Sequence, residues 1–318
     1  MNLANGELHQ QYLLSLLKSK SGSSEEDPEP SLHDIYVSLN KLSGMYWLIC
    51  GYMLTGESRD PKTLEFFRAK FMEEFLKSRK LVDEIGGPLR CLSAVQLAFL
   101  LLSEDEALVL TSLITDATIE FFKNYFSEPA LPFWFDMRSL YCLISILHIT
   151  NRLDEITHVK KDIISYINSA QSILGGFGAG PKAEAHGGYT FCAVASLTLL
   201  HSEVRRRPQL TQWLSTRLSQ LNGRPGKPAD SCYIWWVGAS LYNLNEKSIL
   251  EKERDRFISF LNNDCFVPET GGFSKFPSVP FSDQVHGKQD ADLFHTFLAL
   301  ASIALMDGRI CPLAVLPK

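Results

Sequence analysis

Between Leu221 and Trp236 the chain carries Arg224, Lys227, Asp230, Cys232, Tyr233, Trp235 and Trp236, so two cations, a carboxylate, a thiol, a phenol and two indoles fall in one stretch. Gly223, Pro225, Gly226 and Pro228 predict a turn-rich loop, and the apolar run from Tyr233 to Leu241 predicts a buried helix after it. Asp230 is placed to cap that helix. Arg224 and Lys227 then sit on a loop at the mouth of a site, with Asp230 and Cys232 at the top of an inward-pointing helix. Two chemistries follow: a cationic cradle for a phosphate-bearing ligand, and a metal site with one oxygen and one sulfur ligand. His295, near the start of a second apolar helical run and three residues after Asp292, is the third ligand candidate. Asp, Cys and His with one open position follow the logic of a catalytic zinc site. On spacing alone the bland alternatives stay open: His295 as a cap or core residue, Arg224 and Lys227 as solvated cations, Tyr233 as core.

The elements that must bring these residues together are helical. From Leu32 onward apolar residues recur at helical spacing, separated by short breaks rich in Gly, Pro, Asn or charge, and alternating strands are nearly absent. Four blocks resemble one another: Tyr141-Cys142 before Ile144-Ser145-Ile146, Phe191-Cys192 before Ala195-Ser196-Leu197, Trp235-Trp236 before Ala239-Ser240-Leu241, and Phe297-Leu298 before Ala301-Ser302-Ile303. Helix pairs repeating at roughly 50 residues imply a solenoid, closed or open.

The 318 residues, 45% hydrophobic, suffice for a large core. A net charge of −5 gives no electrostatic reason to expect nucleic acid or an anionic membrane as partner. Seven scattered cysteines read as a reducing compartment. With no basic-then-apolar leader and no run of about 18 to 20 apolar residues, a soluble, cytoplasmic protein is expected. Residues 1–31 are read as a short amphipathic helix (His9 to Lys18) and a flexible acidic linker, and residues 32–318 as the main domain.

The run Gly223-Arg224-Pro225-Gly226-Lys227-Pro228-Ala229-Asp230-Ser231-Cys232-Tyr233, followed by a Trp-containing helix, resembles the signature of protein prenyltransferase β subunits. Asp136-Met137-Arg138, Gly175-Gly176-Phe177 through Glu184-Ala185-His186-Gly187-Gly188-Tyr189, and Phe294-His295-Thr296 resemble further segments of that family, in the same order. The resemblance runs from about residue 40 to the C-terminus. It implies an all-α fold, an α-α barrel (toroid) of repeated helix pairs, with the inner helices around an apolar funnel and their N-terminal ends on one rim.

It also implies roles. Asp230, Cys232 and His295 would hold zinc, which takes the cysteine thiol of a protein substrate. His186, Arg224, Lys227, Tyr233 and Lys275 would neutralise the diphosphate leaving group of an isoprenoid donor. Tyr141, Cys192 and Trp236 match positions that line the isoprenoid tube. Ser43, where farnesyltransferase carries tryptophan, and Leu298, where an aromatic is usual, argue for a twenty-carbon donor. Lys275, where other members carry a magnesium-linked aspartate, points to the type I geranylgeranyl enzymes and to activity without magnesium. Arg138 would hold the peptide end, and an α subunit completes a heterodimer acting on C-terminal Cys-a-a-X sequences of small-GTPase-like proteins, with X as Leu or Phe. Two features depart from the family pattern: Gly87 replaces a peptide-binding histidine, and 278–288 is an insertion. The alternatives are a farnesyltransferase or dual-specificity β subunit and, from another class, a non-catalytic helical toroid serving as an interaction module.

Overall fold

A computed structural model describes residues 5–18, 32–56, 60–78, 87–126, 131, 135–278 and 290–317. The acidic linker and almost all of the 278–288 insertion lie outside the described residues. Six helices pack side by side in a closed ring: α2 (Leu32–Leu54), α4 (Pro88–Leu101), α6 (Met137–Ile149), α8 (Gly187–Leu199), α10 (Tyr233–Asn243) and α13 (Leu293–Met306), with α13 returning to α2. Around them lie α1 (Gly6–Lys18), α3 (Pro61–Ser78), α5 (Glu104–Tyr125), α7 (Lys160–Ser169), α9 (Arg207–Gln220), α11 (Lys247–Lys252) and α12 (Arg254–Ser259). The repeat is therefore a closed α-α toroid, and the four resembling blocks of the sequence are four of its inner helices.

The helix sequences explain which layer each occupies. The inner helices are apolar nearly all round; in α13 every residue from His295 to Leu305 is buried, as a helix enclosed on both sides requires. Outer helices are one-sided. In α5 the Ser103 hydroxyl and Glu106 carboxylate form a reciprocal cap, with Glu104, Asp105 and Glu106 in the first turn and Lys123 in the last, matching the helix dipole. Gly87 precedes α4 with Pro88 opening the helix, so the position of the missing histidine is a helix entry without a side-chain cap.

The inner helices need polar groups at their N-terminal ends, where backbone N–H groups have no partner within the helix. Asp136 accepts from Arg138 N (2.8 Å) and Ser139 N (3.2 Å), His186 Nδ1 from Gly188 N (3.1 Å), and Asp292 Oδ1 from His295 N (2.9 Å). The α10 entry differs from expectation. Cys232, not Asp230, directly precedes the helix at Tyr233, and Asp230 makes the turn before it: its side chain accepts from Cys232 N (3.0 Å) and its carbonyl from Tyr233 N (3.2 Å). The first residue of α1 comes earlier than expected, at Gly6 rather than His9.

The opposite end is closed by residues 310–317. Tyr46 donates to the Val315 carbonyl, Gln96 Nε2 to Ala314 O (2.7 Å), Tyr141 to Leu313 O (2.7 Å) and Asn243 Nδ2 to Pro312 O (3.5 Å). Side chains from four inner helices thus hold the carbonyls of one segment across the barrel floor.

Candidate metal centre and active site

One ligand atom each of Asp230, Cys232 and His295 lies within 4.8 Å of the others. The loop before α10 supplies the first two and the first turn of α13 the third, so a long sequence separation closes where two inner helices begin side by side. All three side chains are buried; His295 is 8% exposed and Asp230 6%. His295 Nε2 stands 3.5 Å from Asp230 Oδ1, and its Nδ1 is 2.6 Å from Asp292 Oδ2. A carboxylate behind one ring nitrogen leaves the other directed at the cluster, which is the usual support for a metal-binding imidazole.

The electrostatics favour a cation at this point. Burial disfavours a charged His295, but the hydrogen bonds it donates to Asp230 and Asp292 outweigh it and push the imidazole up to about 9. Burial, and then the Asp230 charge, raise the Cys232 thiol well above its ordinary value. The shifts of both groups favour the protonated imidazole and the neutral thiol, burial leading for the thiol and the two carboxylates for the imidazole. Carboxylate, thiol and imidazole of this spacing and burial fit zinc, with substrate able to take a fourth position.

Cationic and hydrogen-bonding groups flank the cluster. Lys275 Nζ is 3.9 Å from Asp230 Oδ2 and half-exposed. His186 Nε2 and Tyr233 Oη are 2.9 Å apart. Since His186 Nδ1 accepts from Gly188 N, the neutral ring carries its proton on Nε2 and donates to Tyr233, whose own proton is free to point elsewhere. Burial and then Arg224 lower the His186 pKa and keep it neutral. Gly223 makes room for this pair: a Cβ there would lie 2.2 Å from the Tyr233 ring. Arg224 is half-exposed and paired with Glu184 at 2.5 Å, whereas Lys227 is exposed on its turn. Arg138, also exposed, is held by Asp136 and lies over the Tyr189 ring at 5.4 Å.

Inside the barrel an aromatic chain runs from Tyr141 to Phe191 (5.2 Å between ring centres), Trp236 (5.3 Å), Phe294 (6.4 Å) and Trp47 (5.1 Å). Cys192 is buried beside it on α8, and Leu298 is buried one turn below Phe294. Ser43 is buried between α2 and α4, its hydroxyl 3.2 Å from that of Ser93. Sequence reasoning left Asp292, Glu184, Phe191, Phe294 and Trp47 without site roles. Asp292 had a signal, an acidic residue three positions before a histidine at a helix start; the others read as core or surface.

A closed helical toroid with a metal-ligand set and cations on the rim where its inner helices begin is the class these observations define. The chain matches the prenyltransferase alpha-alpha toroid domain over residues 7–314 and belongs to that family. It is 32% identical over 202 residues to the geranylgeranyl transferase type-1 subunit beta of Arabidopsis thaliana, covering 57% of this chain and 49% of the relative. It is 37% identical over 186 residues to the protein farnesyltransferase subunit beta of Schizosaccharomyces pombe, covering 53% and 46%. The chain spans about half the length of these relatives. A solved structure of Candida albicans protein geranylgeranyltransferase-I complexed with GGPP superposes with a TM-score of 0.72 at 20% identity, covering 99% of this chain and 96% of that one, which shows the same fold. No helix among the described residues is long and apolar enough to cross a membrane.

Proposed function

We propose that this chain is the catalytic β subunit of a zinc-dependent type I protein geranylgeranyltransferase. The reaction is transfer of a twenty-carbon isoprenoid from its diphosphate to the cysteine thiol of C-terminal Cys-a-a-X sequences, X being Leu or Phe, on small-GTPase-like proteins in the cytoplasm. The observation that carries the reading is the convergence of Asp230, Cys232 and His295 on one rim; an interaction module has no use for such a set. Lys275 beside Asp230 favours type I, because a fixed ammonium there can serve in place of a magnesium ion. The likeness to both geranylgeranyl and farnesyl relatives keeps a farnesyl or dual-specificity enzyme as the second reading.

Asp230, Cys232 and His295 would hold zinc, which when bound lowers the pKa of a coordinated thiol and so makes a thiolate nucleophile available at neutral pH. The rest falls to this chain's own side chains. As the bond to the diphosphate stretches, Tyr233 donates its free proton toward the leaving oxygen, fixed in aim by the His186 Nε2–H bond. Arg224, Lys227 and Lys275 neutralise the remaining charge. The partly buried aromatics Trp236, Phe294 and Trp47, with Tyr141, Cys192, Ser43 and Leu298, offer the isoprenoid an apolar wall and keep water from the reacting carbon. Arg138 holds the peptide end.

The test is prenyl transfer by the chain co-expressed with a prenyltransferase α subunit, comparing twenty- and fifteen-carbon donors on Cys-a-a-Leu and Cys-a-a-Ser peptides, with and without magnesium. The expected outcome is preference for the longer donor and the Leu peptide, independent of magnesium. Preference for the shorter donor selects the second reading, and zinc uptake without any transfer selects a scaffold.

A further inference from the structure

The segment Gly271–Lys275 is a seam between the two elements that carry the metal ligands. Ser231, the residue between Asp230 and Cys232, donates its hydroxyl to Ser274 O (2.8 Å) and its N–H to Lys275 O (3.0 Å). On the other side, Phe273 N donates to Thr296 Oγ1 (2.9 Å), Phe273 O accepts from Asp292 N (3.3 Å), and Ser274 pairs with Ala291 in a short antiparallel bridge. The place of Cys232 relative to His295 is therefore set by how this seam is seated.

Helix α1 seats it from behind. His9 is fully buried, its Nδ1 accepts from Gly272 N (3.1 Å), and its ring stacks on Phe273 at 4.5 Å and 22°. Tyr12 donates its hydroxyl to Ala291 O (3.0 Å), immediately before Asp292. At Gly271 and Gly272 the contact is too close for any side chain. A Cβ on Gly271 would lie 2.4 Å from the Leu8 carbonyl oxygen, and one on Gly272 would lie 2.9 Å from the Tyr12 ring; both residues also have positive φ, 76° and 82°. Burial and then the Asp292 charge push the Tyr12 phenol up to about 12, so it stays a donor at neutral pH.

We propose that His9 and Tyr12 are positioning residues for the metal centre, acting through the Gly271–Lys275 seam to hold the Asp230–Cys232 loop in register with His295. The inference rests on reading Asp230, Cys232 and His295 as metal ligands. An ion held by Asp230, Cys232 and His295 would need donors from both elements at once, so loosening the seam weakens binding even though neither α1 residue is among those ligands. Outer partners of this kind are typically worth about 10- to 100-fold in metal affinity. If α1 only adds packing, its substitutions lower stability and leave the centre unchanged.

Cobalt(II) titration of the full chain separates these cases, because its absorption bands report ligand geometry as well as affinity. His9→Phe keeps a ring against Phe273 but removes the acceptor, whereas His9→Asn restores an acceptor near the Nδ1 position. His9→Phe is expected to bind cobalt about tenfold more weakly with shifted bands, His9→Asn to recover most of both, and Tyr12→Phe to show a smaller loss. Leu214→Ala, fully buried on α9, should lower thermal stability without moving affinity or bands. The proposal is overturned if His9→Phe matches wild type, if His9→Asn is as impaired as His9→Phe, or if Leu214→Ala reproduces the His9→Phe spectrum. A wild-type chain that takes up no cobalt overturns the metal reading and this inference with it, a result told apart by the failure of the unsubstituted protein.

Discussion

The two ends of the barrel are built from the same inner helices and differ in what satisfies them. At the floor, Tyr46, Gln96, Tyr141 and Asn243 find carbonyl partners in residues 312–315, so their polar atoms are satisfied within the fold. At the rim the capping needs of the helices are met by Asp136, His186 and Asp292, yet a carboxylate, a thiol and an imidazole remain crowded within 4.8 Å. Folding alone gives no reason for that crowding. A buried carboxylate is costly unless paired, and here Asp230 is answered by a histidine proton or, on the proposed reading, by a metal ion. The comparison separates a polar group that closes a structure from one that waits for a ligand.

The largest expected effect lies at the rim. Cys232→Ala should reduce zinc, measured by mass spectrometry of the purified chain, from one equivalent to background, and abolish transfer while leaving the helical signal intact. Retention of a full equivalent would place the metal elsewhere and remove the contrast between the two ends. Next comes a pair of caps. Asp292→Asn keeps a side-chain acceptor for His295 N but loses the carboxylate behind Nδ1, and should weaken zinc about 10- to 100-fold in a chelator competition. Asp136→Asn makes the same change on α6, where the cap serves only the helix and Arg138, and should leave zinc affinity alone. Equal effects at the two positions would mean that Asp292 acts as a cap and nothing more.

The floor gives the converse result. Gln96 is 2% exposed and its Nε2 serves Ala314 O. Gln96→Leu leaves that carbonyl without its donor, and a buried group so stranded costs about 1–3 kcal/mol. Urea unfolding should show the loss while zinc content and affinity remain those of wild type. A variant that lost metal as well would show that the floor and the rim are coupled through the inner helices.

How much of this could be read from the sequence follows the same division. The helix expected over Tyr233–Leu241 runs over Tyr233–Asn243, and the repeated inner helices and the candidate ligand residues are carried by side-chain types at fixed spacing. What was not legible depends on backbone. Asp230 makes a turn before α10 rather than capping it, because its carboxylate is used by Cys232 N, a choice that residue type alone does not dictate. The floor is invisible to a pattern search, since its acceptors are main-chain carbonyls of residues 312–315 and their donors lie far away in the sequence. His9 and Tyr12 fell within a stretch read only as a short amphipathic helix, whereas the groups they bind are the backbone N–H of Gly272 and the carbonyl of Ala291. Of the aromatic chain, only Tyr141 and Trp236 matched positions read as lining the isoprenoid tube; Phe191, Phe294 and Trp47 became distinct from core only once their shared interior was seen.

The smallest effect concerns the outer margin of the rim, where Arg224 is paired with Glu184 and both remain well exposed, 39% and 59% at the side chain. An exposed pair of this kind is worth at most about 1 kcal/mol and is screened by salt. The same guanidinium is the one expected to meet the diphosphate, so Glu184 competes with the donor for it. Glu184→Gln removes the competitor without touching the arginine, and should tighten binding of the isoprenoid diphosphate by up to about fivefold at low ionic strength, with the gain shrinking as salt is raised. Arg224→Gln should weaken it instead, and the double substitution should resemble Arg224→Gln alone, because Glu184 then has nothing to withhold. If Glu184→Gln weakened donor binding, the carboxylate would be orienting the guanidinium rather than competing for it, and the rim pair would belong with the satisfied groups of the floor.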